Sequence, residues 1–203
     1  MAARVILTFV SLLGGLAVTG AAPLLPQKTH SACSPCASPV APPAYEWAAH
    51  AAQVPASVLF AIARQESGML RRGRWIPWPW TLNVGGVPHR YGTRTQACAA
   101  LRQALRRVPS HRIDVGLAQI DIGYYGNRVA RPCDLLNPYR NLLLAATILR
   151  HYHAAGVDWM TAIGRYHRPA GGAAAARYRR EVALQLARVL ANADESTTEA
   201  ALP

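Results

Sequence analysis

Asn137-Pro138 opens the clearest helix in the chain: an asparagine placed to cap, a proline in the first turn where its missing N–H costs nothing, and then Leu142, Leu143, Ala145, Ala146, Ile148 and Leu149 at helical spacing as far as Gly156. The same period recurs on both sides of it. Ala48, Ala51 and Ala52 make a short stripe beyond Tyr45, and Val58, Leu59, Ile62 and Ala63 make a second one, from Pro55 in the first turn to a stop at Gly68. A third helix is expected from about Thr95, read as its cap, to Arg107, with Ala97, Leu101, Ala104, Leu105 and Val108 on one face and a basic opposite face. A shorter helix from Asp158 carries Trp159, Ala162, Ile163 and Tyr166, and a last one spans roughly Ala174 to Leu190. One stretch breaks the pattern. Thr81 to Tyr91 reads as two short extended runs joined by Gly85-Gly86, a β-hairpin, and it follows the proline- and tryptophan-dense Trp75 to Trp80. The expectation is a mainly α (α+β) domain, helical with one small β-hairpin and no internal repeat.

Arg4 is followed by an apolar run from Val5 to Val18 and then by Thr19-Gly20-Ala21-Ala22, the pattern of a secretory signal peptide over residues 1–22. The run is shorter than the roughly 20 apolar residues of a bilayer-spanning helix, so cleavage is expected, leaving no stable membrane span, and the periplasm is the expected location. Residues 23–44 are rich in Pro, Ser and Ala without a period and read as a linker; 45–192 read as one catalytic domain; 193–203 read as an acidic, disordered tail. Four cysteines, Cys33, Cys36, Cys98 and Cys133, in an exported chain predict disulfides, with three connectivities open. Cys33 and Cys36 sit in the Ser/Pro-rich linker, which argues against a thioredoxin-type redox pair.

A formal net charge of +12 predicts attraction to polyanions. The arginines are scattered without a DNA- or RNA-binding motif, so the anionic wall and membrane surface fit better than nucleic acid. His89, His111, His151, His153 and His167 could suggest zinc. However, His151 and His153 are two apart on a helix and face different ways, where a ligand pair wants three or four, so no metal site is expected.

Glu66 is the only carboxylate between Glu46 and Asp114, and it stands where the helix from Pro55 runs out. The negative end of the helix dipole and burial against apolar neighbours both disfavour an ionised carboxylate there. Both raise its pKa towards the range of a general acid. By position alone a solvated helix-end glutamate is the commoner case.

Four further stretches change that balance: LFAIARQESGM around Glu66, DVGLAQI from Asp114 to Ile120, NPYRNLLLAATILR from Asn137 to Arg150, and AIGRYH from Ala162 to His167. Together, in this order and over roughly Tyr45 to Leu190, they resemble the soluble-lytic-transglycosylase (SLT) domain in its lysozyme-like fold. WPWTLNVGG, from Trp78 to Gly86, resembles the variety associated with conjugative and type IV secretion systems. The resemblance implies a peptidoglycan lytic transglycosylase, a lyase without metal or cofactor, with glycan strands as substrate and a secretion or conjugation machinery as partner. It implies that Glu66 is the catalytic acid/base, that Ser67 orients it or the substrate, and that Gln119 lines the saccharide groove. Tyr166 is similar to the tyrosine of the family's Tyr-Asn pair, with His167 in place of the asparagine. Ala118 stands where the family usually has methionine, which would widen the groove if that side chain packs beside the sugar. Trp75, Trp78 and Trp80 are read equally as sugar-stacking platforms or as core.

Most glycosidases hold a second carboxylate about 5 to 9.5 Å from the first. Asp114 and Asp121 flank the GLAQI turn and are the available candidates, although such residues near turns more often cap and bend the chain. The resemblance implies a reaction that needs no partner and forms 1,6-anhydromuramoyl ends. A goose-type-lysozyme-like hydrolase and a non-catalytic peptidoglycan-binding assembly module are the alternatives.

Overall fold

The structure, a computed structural model, describes residues 41–154 and 156–200, with side chains to residue 193. The expected signal peptide, almost all of the linker, and Cys33 and Cys36 lie outside the described residues.

The chain is mainly helical with a small antiparallel sheet region, as its periodicity predicts. Helices α1 (Pro43–Ala52), α2 (Ala56–Ser67) and α5 (Pro138–His153) form the centre with α6 (Trp159–His167) and α7 (Gly172–Ala200). α2 has buried residues on most of its circumference, among them Leu59, Ala61, Ile62 and Ala63, because α1 and α7 both pack on it. Buried apolar residues from these helices and from the sheet form one continuous core. No described helix is long and apolar enough to cross a membrane.

Local chemistry accounts for the helix starts. The side-chain oxygen of Asn137 accepts from the Arg140 N–H (3.2 Å), and that of Asp158 accepts from Thr161 N–H (2.9 Å), so both expected caps are in place. α3 (Arg94–Ala104) is capped two residues earlier than expected. Thr93, extended at φ −140°, accepts from Gln96 N–H, whereas Thr95 lies inside the helix. Pro55 likewise sits at the cap of α2 and not within its first turn. α7 continues through Ala200, into the stretch expected to be a disordered tail. Ala191, Ala193, Glu195, Glu199 and Ala200 are good helix formers, and the acidic composition does not interrupt them.

The hairpin of β3 (Thr81–Val84) and β4 (Val87–Arg90) turns through Gly85 and Gly86, both at positive φ. It belongs to a larger sheet of order β4-β3-β5-β6, in which β5 (Ile113–Val115) and β6 (Ile120–Asp121) bracket the GLAQ turn. A second hairpin, β1 (Gly68–Arg71) with β2 (Arg74–Pro77), follows α2 directly. Cys98 on α3 is bonded to Cys133, which resolves that half of the cysteine pairing.

Candidate active site

Glu66 occupies the last turn of α2, where that helix meets α7 and the sheet. Its side chain is partly exposed, yet its carboxyl is packed deeply enough for desolvation to dominate its chemistry. Burial lifts the pKa from the usual 4.5 to about 7, against a hydrogen bond from Tyr178 that pulls it down; the negative charges of Asp114 and Glu181 add to the rise. The Tyr178 hydroxyl donates to Glu66 Oε1 at 2.5 Å, across 112 positions of sequence. No cation pairs with Glu66 among the described residues. A carboxyl poised near neutrality on a partly exposed side chain, with no cation partner among the described residues, can both release and recover a proton.

Beside it stands the 116–119 turn, clamped by three helices. Gly116 (φ +86°) leaves no room for a Cβ, because the Asn141 amide and the Leu135 carbonyl press against it. Asn141 on α5 donates to the carbonyls of Val115 (2.8 Å) and Leu135 (3.0 Å) and accepts from the Ala118 N–H (2.9 Å), so this buried amide is well satisfied. Ser67, fully buried on α2, shares its one hydroxyl proton between the carbonyls of Leu117 (2.7 Å) and Ala63 (3.1 Å). Tyr166 on α6 donates to the Ala118 carbonyl (2.7 Å).

These contacts revise the expected roles. Ser67 and Tyr166 meet near Glu66, but their hydroxyls are spent on the turn, so both hold the wall of the site and neither donates to Glu66. Burial raises the Tyr166 pKa well above that of an ordinary tyrosine, and the Glu66 charge raises it further. Gln119 takes the left-handed conformation (φ +46°), and its amide nitrogen donates to Gly116 (2.7 Å) and Thr81 (3.3 Å) carbonyls. It braces its own turn. The Ala118 methyl is wholly buried and lines no open groove here, so the expected widening at this position does not follow.

His167 is exposed and lies flat against Tyr178, ring centroids 4.4 Å apart and planes 7° from parallel. Desolvation lowers its pKa below the ordinary histidine value; Glu181 opposes this, while Arg177 and Arg168 reinforce it. Its ring supports the tyrosine that holds Glu66. Tyr178 itself has no motif to announce it: with Ala175, Val182 and Val189 it falls on the apolar stripe of α7 and reads as core.

The two candidate second carboxylates separate. Asp121 caps α4 (Ile122–Tyr125), accepting from Tyr124 N–H, as a turn residue would. Asp114, paired with Asp121 across β5 and β6, is close enough to Glu66 to raise its pKa. Its own pKa is pushed up to about 6 by burial and then by Asp121.

The tryptophans divide as well. Trp78 donates to the Tyr91 carbonyl (2.7 Å) and packs edge-on against Trp80, which rests on the core. Trp75 keeps an exposed face while its indole N–H bonds the Arg64 carbonyl (3.2 Å). Among the described residues no three His, Cys, Asp or Glu side chains come together as a metal site, and His153 stacks on Trp159. No protein-family description, curated protein or solved structure matches the chain significantly.

Proposed function

We propose that the chain is a peptidoglycan lytic transglycosylase, with Glu66 as its only acid/base. One observation carries the reading: a carboxyl on a partly exposed side chain, its pKa lifted to about 7, held by Tyr178 and with no cation partner among the described residues. Protonated Glu66 gives its proton to the oxygen leaving between N-acetylmuramic acid and N-acetylglucosamine. The substrate's acetamido group shields the cation developing at C1. Glu66 then takes the proton of the muramoyl C6 hydroxyl as O6 bonds to C1. One C–O bond breaks, one forms, and no water is consumed, so a single group with a pKa near the working pH suffices. The N-terminal apolar run supports export to the periplasm, where such cuts would open the wall locally for a secretion or conjugation machine.

Asp114 favours one second reading, a hydrolase in which it activates water. Mass spectrometry of purified sacculi digested by the parent separates the two. Anhydro ends are expected; reducing ends one water heavier would establish the hydrolase. Sacculi bound but left uncut would mark a non-catalytic module, and full activity in Glu66→Gln would remove Glu66 from the mechanism.

A further inference from the structure

We infer a second binding site, on the side of α2 turned away from Glu66, that takes the free carboxyl end of a short apolar peptide. Two residues along a helix turn the side chain by roughly 200°. Arg64 therefore points away from Glu66, and it lines a separate cavity of about 640 Å³ with Tyr45, Phe60, Arg74, Trp75 and Ile76. That volume lies in the range of small-ligand sites, and the walls are largely apolar and aromatic.

Arg64 is the unusual member. It is 9% exposed, and its guanidinium is held in place by neutral acceptors: Nε donates to Gln185 Oε1 (3.2 Å) and Nη1 to the Trp75 carbonyl (2.9 Å). Phe60 lies under it at 5.8 Å. Among the described residues no carboxylate pairs with Arg64, with Arg74 at the same cavity, or with the neighbouring Arg188. A buried, unpaired guanidinium is expensive to keep. Here it is also fixed in orientation, with donors beyond the two already engaged.

A carboxylate entering the cavity supplies the missing counter-charge and accepts from a preformed fork. The rest of the ligand meets flat rings and the prolines Pro42, Pro43 and Pro77. Aromatic-lined grooves are a recurrent docking surface for short extended peptides. The inference is independent of the acid/base reading of Glu66.

Isothermal titration of the full chain with N-acetyl-trialanine, as the free acid and as the C-terminal amide, tests it. The acid is expected to bind at least about tenfold more tightly than the amide. Arg74→Glu, at an exposed position, is expected to weaken the acid by a similar factor with little change in thermal stability, and Glu66→Gln is expected to bind as the parent does. Arg64→Gln is expected to abolish binding; should it unfold, Arg74→Glu decides. The peptide made from D- or from L-alanine tells a wall stem peptide from a protein C-terminus, and preference for either supports the site. Equal binding of acid and amide, tighter binding of octanoate, or indifference to Arg74→Glu would overturn it.

Discussion

Arg64 and Glu66 stand two residues apart on α2, both desolvated, and neither is neutralised by an opposite charge among the described residues. Their surroundings are opposite. Burial first, and then the charges of Asp114 and Glu181, resist the ionisation of Glu66, while the Tyr178 hydroxyl favours it. Burial first, and then the charge of Arg188, resist the protonation of Arg64, while Tyr45, the Gln185 oxygen and the Phe60 ring favour the cation. A helix built for stability alone would pair such charges or replace them with apolar side chains, because buried unpaired ions are costly. In the two roles proposed above, each face of α2 instead keeps its group available to something from outside: a proton acceptor on one side, an anion on the other.

Removing the acid is the strongest way to break the comparison. Glu66→Gln is expected to lower the rate of glycan cleavage by about 10³-fold, within the span of general acid–base catalysis. The same change should make the protein more stable at alkaline pH. A carboxyl whose folded pKa is raised contributes stability that is fully present below its unfolded value near 4.5 and is lost as pH rises through about 7. The parent should therefore lose stability across that window by something of the order of 2–3 kcal/mol more than the Gln variant. Thermal unfolding from pH 4 to 9 checks this, and parallel curves for the two proteins would contradict the raised pKa.

Gly68 joins the two faces, and its replacement should disturb the cationic one. The backbone at φ −58° suits any residue, but a Cβ there would fall onto the Arg64 carbonyl and the Trp75 indole. Gly68→Ala is expected to cost about 2 kcal/mol in urea unfolding, the usual scale for forced overpacking. Binding of the free-acid peptide should fall with it, while the pH at which cleavage declines stays where Glu66 sets it.

The uneven legibility of the two faces has a physical cause. Glu66 was visible because a lone carboxylate ends an apolar helix, and the starts at Asn137 and Asp158 were visible because capping is local. Tyr178 was not, since its meeting with Glu66 depends on how α7 lies against α2 and leaves no mark on nearby spacing. The β1–β2 hairpin escaped because Arg72 takes the left-handed position beside Gly73 and because β2 itself runs into the proline- and tryptophan-dense stretch, which reads as a loop. Nothing in the spacing singles out Arg64, whose partners Gln185 and the Trp75 carbonyl come from α7 and β2. The acceptors of Ser67 and Tyr166, the carbonyls of Leu117 and Ala118, were not legible, because a hydroxyl's acceptor cannot be read from its position in the chain.

Tyr178→Phe sharpens the acidic face with a smaller effect. The ring and its stack on His167 remain, and only the hydrogen bond favouring ionised Glu66 is lost. The Glu66 pKa should rise further, moving the alkaline limb of the pH–rate profile upward by about one unit, given the ordinary worth of a bond to a charged group. A merely structural tyrosine would lower activity or stability without moving that limb, so the pH profile of cleavage is the deciding measurement.

Asp114→Asn gives the smallest shift and runs the other way. Asp114 raises the Glu66 pKa by its charge, and it ranks below both burial and the Tyr178 bond among the influences there. Its neutralisation should move the alkaline limb down, by less than Tyr178→Phe moves it up. The rate at pH 5 should stay within about tenfold of the parent, since a residue that only tunes an acid contributes little where that acid is already protonated. The ends should still be anhydro sugars. Were Asp114 the base that activates water, the same variant would lose cleavage at every pH, as Glu66→Gln does, and the parent's products would carry the extra water. The limb position, the low-pH rate and the product mass thus assign Asp114 to tuning or to chemistry.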